Sequence, residues 1–289
     1  MVKWEDAKIH VLSHGLHYGT SVFEGIRYYK TGKNSSVFRL QEHLERLFYS
    51  AERLEMVLPY SLKEMKKAVV ETCRVNEERE GYIRPIIFYG YGKMGLNPAG
   101  MNINVAIAVW PWGAYLSKDK IKVMTSSFMR IHPKSLATDA KISGHYVNSV
   151  MSSLEMSRLG FDEALLLDYD KNVAEGPGEN IFCIKKGVLY TVKLGNILAG
   201  ITRNSIIRIA REDMGMEVVE KNLKLKDLYE SDEAFFTGTA AEIQPIESID
   251  DKVIGNGDIG KYTKKLQQKF SQVVHGENAK YNKWLTPIF

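Results

Sequence analysis

The stretch DAKISGHY (residues 139–146) puts Lys141 in a loop just before a predicted helix. That helix runs from about Tyr146 to Leu159, where Gly160 ends it. An amine attacks a carbonyl cofactor only in its neutral form, which burial and nearby cations favour. Taken alone, a loop lysine is more often an ordinary exposed residue. The hypothesis that Lys141 carries a cofactor therefore depends on the segments around it.

A second segment, VAEGPGEN (residues 173–180), forms a glycine-rich turn between predicted strands and carries the carboxylates of Glu175 and Glu179. A carboxylate beside a pyridinium nitrogen keeps such a ring protonated and able to take up electrons. The same residues would also make an ordinary polar β-turn. This motif by itself is a weak signal.

Two further segments have the pattern of anion-binding sites. AGITRNS (residues 199–205) opens a predicted helix that ends near Met214, with Thr202 as the expected N-cap and Gly200 allowing close backbone approach. The amides and the dipole at such a helix start suit a phosphate group. FTGTAAE (residues 236–242) runs from a strand into a turn that can point amides and a hydroxyl at an anion, although tight packing would also select small residues.

The rest of the chain predicts an α+β protein of two lobes, because short strands and hairpins argue against a doubly wound parallel sheet. In the first lobe we predict helices at 41–55 and 62–76 and strands at 20–29, 82–91 and 103–110. In the second we predict a helix at 259–274 and strands at 121–127, 163–168, 180–185, 188–192, 216–221 and 233–237. The expected domains are a small N-terminal α+β domain (1–112), a connector (113–122) and a large C-terminal domain (123–289).

Composition and charge argue against several classes of protein. The 289 residues are 44% apolar and 26% charged, as in a soluble globular protein. The net charge is only +4 and Lys and Arg are scattered, so nucleic acid is not expected as a partner. Cys73 and Cys183 form no CxxC, so neither a disulfide framework nor a zinc ribbon is predicted. No apolar run approaches about 18 residues and the start has no signal-peptide pattern, so we expect a cytoplasmic protein without a membrane partner.

Two other patterns are discounted. The glycine triplets that begin at Gly90 and Gly255 match the fingerprint GxGxxG, but neither has the strand, helix and returning strand that a dinucleotide site needs. The residues His10, His14 and His17 lack the spacing of a zinc motif and have no accompanying carboxylate or thiolate. No metal is predicted.

In this order and spacing, the four segments closely resemble the fold type IV pyridoxal-phosphate enzymes, and among them the branched-chain amino acid aminotransferases. The resemblance covers nearly the whole chain. Further matching stretches are HGLHYGTSVFEGIR (14–27), FRLQEHLERLFYSAE (38–52), YIRPIIFYG (82–90), VWPWGAYL (109–116), DEAFFTGTAAEIQPI (232–246) and a GxxTKKLQQ stretch near 260–268. The resemblance implies a two-domain fold type IV architecture in which pyridoxal 5′-phosphate binds the large domain at the domain interface.

The resemblance also implies a role for each residue of the cofactor site. Lys141 would be the catalytic lysine, which bonds the cofactor and moves a proton to and from the substrate Cα. Glu175 would pair with the pyridine nitrogen, and Tyr146 would hydrogen-bond the phenolic oxygen. The residues implied for the phosphate are Arg46, Ile201, Thr202 and Thr239.

For the substrate, the resemblance implies an aromatic pocket and two sets of anion-binding groups. The α-carboxylate would be held by Tyr82 and the turn Thr239, Ala240 and Ala241. The side-chain pocket would be formed by Phe23, Gly25, Arg84, Trp112 and Tyr115, with Tyr18 and Leu96 from a partner subunit. Arg84 precedes a proline within an apolar strand, and buried arginines are rare unless paired. We therefore expect Arg84 to neutralise the second carboxylate of glutamate, while the aromatic walls accept aliphatic side chains.

The implied activity is a ping-pong transamination, through the pyridoxal and pyridoxamine forms of the cofactor, between branched-chain L-amino acids (Leu, Ile, Val) and 2-oxoglutarate, as in branched-chain amino acid biosynthesis. The expected assembly is at least a homodimer, and the choice between dimer and hexamer stays open. So do the ranking of leucine, isoleucine and valine, activity on aromatic donors, and a biosynthetic or catabolic role.

The alternatives share parts of this pattern. D-amino-acid aminotransferases and aminodeoxychorismate lyases use the same lysine and phosphate cup, but the pocket motifs favour the branched-chain group. A non-catalytic carrier protein would be expected to lose Lys141 or Glu175, and both are present. The chain departs from the bacterial pattern after the lysine, where it has ISGHY instead of AGGNY, and at Pro177, where a small residue is expected. Both departures could alter substrate preference.

Overall fold

The computed structural model describes residues 1–113 and 118–289. The described residues contain seven α-helices: α1 (His14–Tyr18), α2 (Leu40–Glu52), α3 (Leu62–Asn76), α4 (Tyr146–Leu159), α5 (Ile201–Met214), α6 (Leu225–Tyr229) and α7 (Lys261–Val274). They also contain fourteen strands: β1 (Ser21–Phe23), β2 (Ile26–Thr31), β3 (Asn34–Phe38), β4 (Gly81–Tyr89), β5 (Ile103–Trp110), β6 (Ile121–Thr125), β7 (Glu163–Leu165), β8 (Asn180–Lys185), β9 (Val188–Val192), β10 (Val218–Lys221), β11 (Glu233–Gly238), β12 (Glu242–Ile249), β13 (Lys252–Val253) and β14 (Leu285–Pro287).

The chain folds as two compact units that do not follow a single cut in the sequence. The first unit contains Met1–Gly113, Ala140–His145 and His275–Phe289. The described part of the second unit contains residues 118–139 and Tyr146–Val274. The predicted domains differ here, because they assigned residues 140–145 and 275–289 to the second domain. Long-range backbone bonds explain the difference: Ile142 bridges to β1, and β14 pairs with β3.

The first unit is built on an antiparallel sheet with β4 at its centre. Strand β4 pairs with β1, β2 and β5, and the sheet continues from β2 through β3 to β14. Helix α2 packs against β1 and α3 against β5. The predicted apolar face of α2 is buried at Leu44, Leu47 and Ala51. Helix α3 begins with a capping box, in which Ser61 and Glu64 each bond the other's backbone N–H, so its predicted start is confirmed.

The second unit is built on a mixed sheet of eight described strands. Its order is β10-β9-β8-β11-β12-β6-β7, with β13 beside β12. The pairs β9–β10, β6–β12 and β6–β7 are parallel, and the other pairs are antiparallel. One sheet face carries a core that includes Ile181, Cys183 and Phe236. Helices α5 and α7 pack against β11.

The α+β fold class is confirmed, and most predicted elements are present with ends shifted by a few residues. Strand β12 was not predicted, because Pro245 interrupts its pattern and lacks an N–H for the sheet. Strands β3 and β14 were also not predicted. Among the described residues, no helix is long and apolar enough to span a membrane.

Candidate active site

Lys141 is fixed by its backbone to β1 and α2 of the first unit. Its N–H donates to the Ser50 hydroxyl at 2.9 Å, and its carbonyl accepts from the Phe23 N–H at 3.2 Å. The side chain is half-buried, and Nζ lies 4.8 Å from the centroid of the Phe23 ring. The lysine therefore lies in a loop, as predicted, but in one that is bonded to the sheet and directs the amine towards an aromatic face.

The approach of two glycines fixes the other end of this loop. The Gly144 N–H donates to the Gly19 carbonyl at 3.1 Å. A Cβ at Gly19 would lie 2.7 Å from the Gly144 Cα, and Gly19 has a φ of +64°. A side chain at Gly19 would therefore displace the loop that carries Lys141.

The predicted pocket residues of the first unit lie together around Arg84. Its guanidinium carbon is 4.5 Å from the Phe23 ring centroid and 5.3 Å from that of Tyr82. Nη2 of Arg84 donates to the Tyr82 hydroxyl at 3.1 Å, and the Trp112 ring stacks on Tyr82 at 4.9 Å. A Cβ at Gly25 would lie 2.0 Å from the Tyr82 hydroxyl oxygen, so any side chain there would displace Tyr82. The arrangement combines a cation with flat apolar surfaces, as a pocket for both acidic and aliphatic side chains needs.

Glu24 is a buried residue to which the sequence analysis assigned no role. It is 0% exposed, and its carboxylate accepts from His43 Nδ1 at 2.7 Å. The same carboxylate accepts from Arg46 Nε at 2.6 Å and from Arg46 Nη2 at 2.9 Å. Arg46, predicted as a phosphate ligand, is thus held by two bonds to one acceptor. The available signal was a carboxylate within the otherwise apolar stretch from Val22 to Ile26.

The electrostatics of this cluster keep Glu24 ionised. Burial alone would raise the pKa of Glu24, but the charges and hydrogen bonds of Arg46 and His43 hold it well below its ordinary value of 4.5. Burial lowers the pKa of His43, against the opposing effect of Glu24. A neutral His43 can still donate its Nδ1–H to Glu24, so the cluster needs no positive charge on the histidine in addition to that of Arg46.

Tyr18 and Leu96 lie on two exposed segments of the first unit that His14 connects. Tyr18 ends α1 and is 40% exposed, and Leu96 follows β4 and is 83% exposed. The His14 ring lies 4.5 Å from that of Tyr18, and its Nε2 is 2.8 Å from the Gly95 carbonyl oxygen. Its Nδ1 is 2.7 Å from the Thr20 hydroxyl. The buried histidine therefore fixes both segments relative to each other.

In the second unit, the carboxylate of Glu175 is buried and oriented from three separate segments. It accepts from Arg130 Nε at 2.6 Å, from Asn180 Nδ2 at 3.0 Å and from the Leu198 N–H at 3.2 Å. No role was predicted for Arg130 or Asn180. Arg130 lies 45 positions before Glu175 and had no local signal, whereas Asn180 belongs to the quoted glycine-rich turn.

Helix α5 begins at Ile201 with Gly200 as its N-cap, which corrects the prediction that Thr202 is the cap. Thr202 is the second helical residue and is buried. Gly200 supplies no capping side chain, and a Cβ there would lie 2.0 Å from the Asn180 Oδ1. The Asn180 amide also donates to the Leu198 carbonyl at 3.0 Å. One asparagine thus joins the Glu175 carboxylate to the segment that leads into α5.

The turn Thr239, Ala240 and Ala241 is half-buried and follows strand β11, as predicted, and it leads into β12. Just before it, the hydroxyl of the buried Thr237 has no hydrogen-bond partner among the described residues. Thr237 is the sheet partner of Asn180, and such partners point to the same face of an antiparallel sheet. This unsatisfied hydroxyl therefore lies on the face that carries the Asn180 amide.

The remaining predicted residues are placed as follows. Tyr146 is the first residue of α4 and is half-buried. Tyr115 lies outside the described residues. Within residues 1–113 and 118–289, no group of three or more His, Cys, Asp or Glu side chains is arranged to hold a metal ion.

Comparison with known proteins gives concordant matches. The family model for amino-transferase class IV matches residues 21–249. The chain is 46% identical over 292 residues to the branched-chain-amino-acid aminotransferase of Pseudomonas aeruginosa, covering 100% of this chain and 95% of that protein. It is 44% identical over 294 residues to the enzyme of the same name from Escherichia coli K12, with the same coverage.

Solved structures are similar over the whole chain. The crystal structure of a branched-chain aminotransferase from Thermoproteus uzoniensis with norvaline has a TM-score of 0.96 and 43% identity. The T.th. branched-chain amino acid aminotransferase complexed with N-(5'-phosphopyridoxyl)-L-glutamate has a TM-score of 0.96 and 44% identity. Each comparison covers 100% of this chain and 96% of the other.

Proposed function

This chain belongs to the class IV amino-transferases, and we propose that it is a pyridoxal-phosphate-dependent transaminase acting on branched-chain L-amino acids and 2-oxoglutarate. The observation that carries this function is full-length similarity to relatives named branched-chain-amino-acid aminotransferases. One similar structure contains norvaline, which has an aliphatic side chain. Another contains a phosphopyridoxyl derivative of glutamate, which has an acidic side chain. A pocket that alternates between these two substrate types is what the proposed exchange needs.

The residues of the second unit fit pyridoxal 5′-phosphate. Glu175 is buried and held in one orientation, as a carboxylate that pairs with a pyridinium nitrogen should be. Gly200 gives α5 a start without a capping side chain, which suits a phosphate group. The buried Thr237 hydroxyl has no hydrogen-bond partner among the described residues, which also fits a site that is completed by a polar ligand.

We assign the cofactor contacts accordingly. Glu175 would hold the ring nitrogen and Tyr146 the phenolic oxygen. The phosphate would be bound by Arg46, Ile201, Thr202 and Thr239. When bound, the cofactor supplies a carbonyl for amine chemistry and a ring that takes up electrons from the substrate Cα.

Lys141 is the proposed catalytic residue. Its Nζ would bond the cofactor and, when released, carry the proton from and to the substrate Cα. The backbone bonds to Ser50 and Phe23 hold the residue in place during this exchange. The same amine serves both half-reactions of the ping-pong cycle, so its position must be kept for donor and acceptor alike.

The pocket around Arg84 supports the proposed pair of substrates. Tyr82 and the turn Thr239, Ala240 and Ala241 would bind the α-carboxylate. Phe23, Gly25, Trp112 and Tyr115 would form the side-chain pocket. Arg84 can meet the second carboxylate of glutamate, and its stem can lie against an aliphatic side chain.

We also propose that the chain acts in the cytoplasm as a homodimer or a larger oligomer of dimers. The exposed apolar side chains of Tyr18 and Leu96 support a contribution of these residues to a partner's pocket. Isologous dimers are the commonest assembly of soluble proteins. A fully active monomer in sedimentation at assay concentration would contradict this assembly.

The function is tested by initial rates of the purified protein with a panel of amino donors and 2-oxoglutarate. Leucine, isoleucine and valine should be the best donors, and D-alanine should be inactive. A clear preference for D-amino acids, or the release of pyruvate from aminodeoxychorismate, would replace the proposal by one of the related activities.

The same assay with Arg84→Met tests the proposed pocket. The variant should raise KM for glutamate and 2-oxoglutarate about ten- to a hundredfold, since a charge-assisted bond contributes about 1.5–3 kcal/mol. The leucine half-reaction should change far less. Arg53→Met is the control, because Arg53 is exposed and also lies over a tyrosine ring. Equal losses for glutamate and leucine would mean that Arg84 supports the fold and does not select the substrate.

A further inference from the structure

Hydrogen bonds, together with the covalent chain of Arg46 and of Phe23–Glu24, form a closed circuit within the first unit. This circuit connects the backbone of Lys141 to the guanidinium of Arg46. The Lys141 N–H donates to the Ser50 hydroxyl at 2.9 Å, and that hydroxyl donates to the Arg46 carbonyl at 2.8 Å. The Arg46 side chain donates to the carboxylate of Glu24. Glu24 follows Phe23, whose N–H returns to the Lys141 carbonyl at 3.2 Å.

Glu24 fixes the plane of the guanidinium in this circuit. Its two carboxylate oxygens accept separately from Nε, at 2.6 Å, and from Nη2, at 2.9 Å. Such a two-point contact defines the orientation of the guanidinium as well as its position, which a single bond would leave free to rotate. His43 donates to one of these oxygens at 2.7 Å and so holds the carboxylate itself.

The burial of the cluster makes this orientation persistent. Glu24 is 0% exposed and the Arg46 side chain is 13% exposed, so water cannot readily replace either partner. The Glu24 backbone N–H is also bonded to the Pro85 carbonyl at 3.0 Å, which ties the acid to the sheet. Arg46 therefore has one orientation relative to the Lys141 backbone.

We infer that Glu24 is a positioning residue that sets Arg46 to receive the cofactor phosphate at a fixed distance from Lys141. The inference rests on the proposed function, because it needs Arg46 as a phosphate ligand. A cofactor that is bonded at its carbonyl and held at its phosphate has two attachment points. The circuit through Glu24 and Ser50 would keep the two protein groups that meet these points in register.

The test measures cofactor binding by the apo form of the full chain, without any turnover. Dissociation constants for pyridoxal phosphate and for pyridoxal, which lacks the phosphate, are obtained from absorbance and protein fluorescence. Glu24→Gln should raise the Kd for pyridoxal phosphate about 10- to 100-fold, the effect of one lost bond to a charged group. The Kd for pyridoxal should change by less than about threefold, since this aldehyde makes no phosphate contact.

Two further variants separate this inference from the function on which it rests. Arg46→Met should lower the preference for pyridoxal phosphate over pyridoxal at least about tenfold, the remainder being due to Ile201, Thr202 and Thr239, and an unchanged preference would contradict Arg46 as a phosphate ligand. If Arg46→Met lowers the preference but Glu24→Gln leaves it intact, the positioning role of Glu24 is wrong. The double variant should bind no more weakly than Arg46→Met alone, because both changes remove the same contribution.

A control and a milder variant guard against effects of misfolding. Glu42→Gln is the control. Glu42 lies in the first turn of α2, the helix that carries Arg46, and its carboxylate pairs with Nε of Arg39 at 2.7 Å. This variant should keep both dissociation constants unchanged. Glu24→Asp keeps the charge but withdraws it by one methylene group. It should lower the preference for the phosphate form at least about threefold even if Glu24→Gln does not fold, and an unchanged preference would overturn the inference.

Discussion

Two buried glutamates, one in each unit, accept from an arginine in the same way but have different surroundings. Glu24 and Glu175 each accept from an arginine Nε at 2.6 Å. Around Glu24, the further donors are a second nitrogen of Arg46 and the ring of His43. Around Glu175, they include the side-chain amide of Asn180 and the backbone N–H of Leu198.

The difference indicates what each carboxylate does. Glu24 gives both oxygens to one arginine, so its charge is used to orient that cation. Glu175 is itself oriented, because its donors come from separate segments of the second unit. A buried carboxylate can therefore position a neighbour or be positioned for a ligand, and the identity of its donors distinguishes the two cases.

The largest expected effect is on catalysis, from Glu175→Gln. A neutral amide cannot keep the ring nitrogen of the cofactor protonated, so kcat should fall roughly 100- to 1,000-fold, as when one well-placed electrostatic group is removed. The measurement is the single-turnover rate with leucine at saturating cofactor. Glu179→Gln is the matched control, because Glu179 is buried in the same turn and was assigned no contact with the cofactor. Equal losses in the two variants would remove the distinction drawn for Glu175.

An effect of comparable size is expected on stability, from Glu24→Gln. Removing one partner of a buried ion pair should lower the free energy of unfolding by about 3–5 kcal/mol at neutral pH. The pKa of Glu24 is lowered in the folded protein, so its contribution is present above the ordinary value of 4.5 and is lost as the pH falls below that value.

The deficit of the Glu24→Gln variant should therefore shrink by about 1.4 kcal/mol for each pH unit below about 4.5. Urea unfolding of both proteins at neutral and acidic pH measures this difference. A deficit that stays constant between pH 6 and pH 3 would show that Glu24 does not stay ionised in the folded state, and the comparison with Glu175 would lose its basis.

The smallest expected effect concerns buried neutral groups, and it compares a hydroxyl without a hydrogen-bond partner among the described residues with a hydroxyl that has one. Thr237→Val removes a buried hydroxyl that has no partner among the described residues, so the apo protein should gain up to about 1 kcal/mol of stability. Thr191→Val removes a buried hydroxyl that donates to the Ile181 carbonyl at 2.8 Å, and it should lose about 1 kcal/mol.

Thermal unfolding of the two valine variants, without and with pyridoxal phosphate, completes this comparison. A loss of apo stability in Thr237→Val as large as in Thr191→Val would mean that the Thr237 hydroxyl has a partner. A gain in apo stability together with weaker stabilisation by the cofactor would support a ligand contact at this position.

The sequence predicted the five longer helices of the described residues, but it missed the short helices α1 and α6 and the strands β3, β12, β13 and β14. Helices α2, α3 and α4 depend on apolar spacing and on end signals such as Ser61 and Gly160, which act within a few residues. Strand β14 depends on pairing with β3, roughly 250 positions earlier, and strand β12 contains a proline. Neither strand has a local pattern that identifies its partner.

The candidate site shows the same division. The sequence by itself singled out the segments that we propose carry the functional groups, because the lysine loop, the glutamate turn and the helix start after Ala199 occur together in one order and spacing, although the lysine loop and the glutamate turn are weak signals alone. Only the tertiary structure decided that Arg46 is held by Glu24, that Arg130 and Asn180 orient Glu175, and that Lys141 is bonded to Ser50. These contacts join positions far apart in the chain, and a hydrogen bond between distant residues leaves no pattern in the residues around either one.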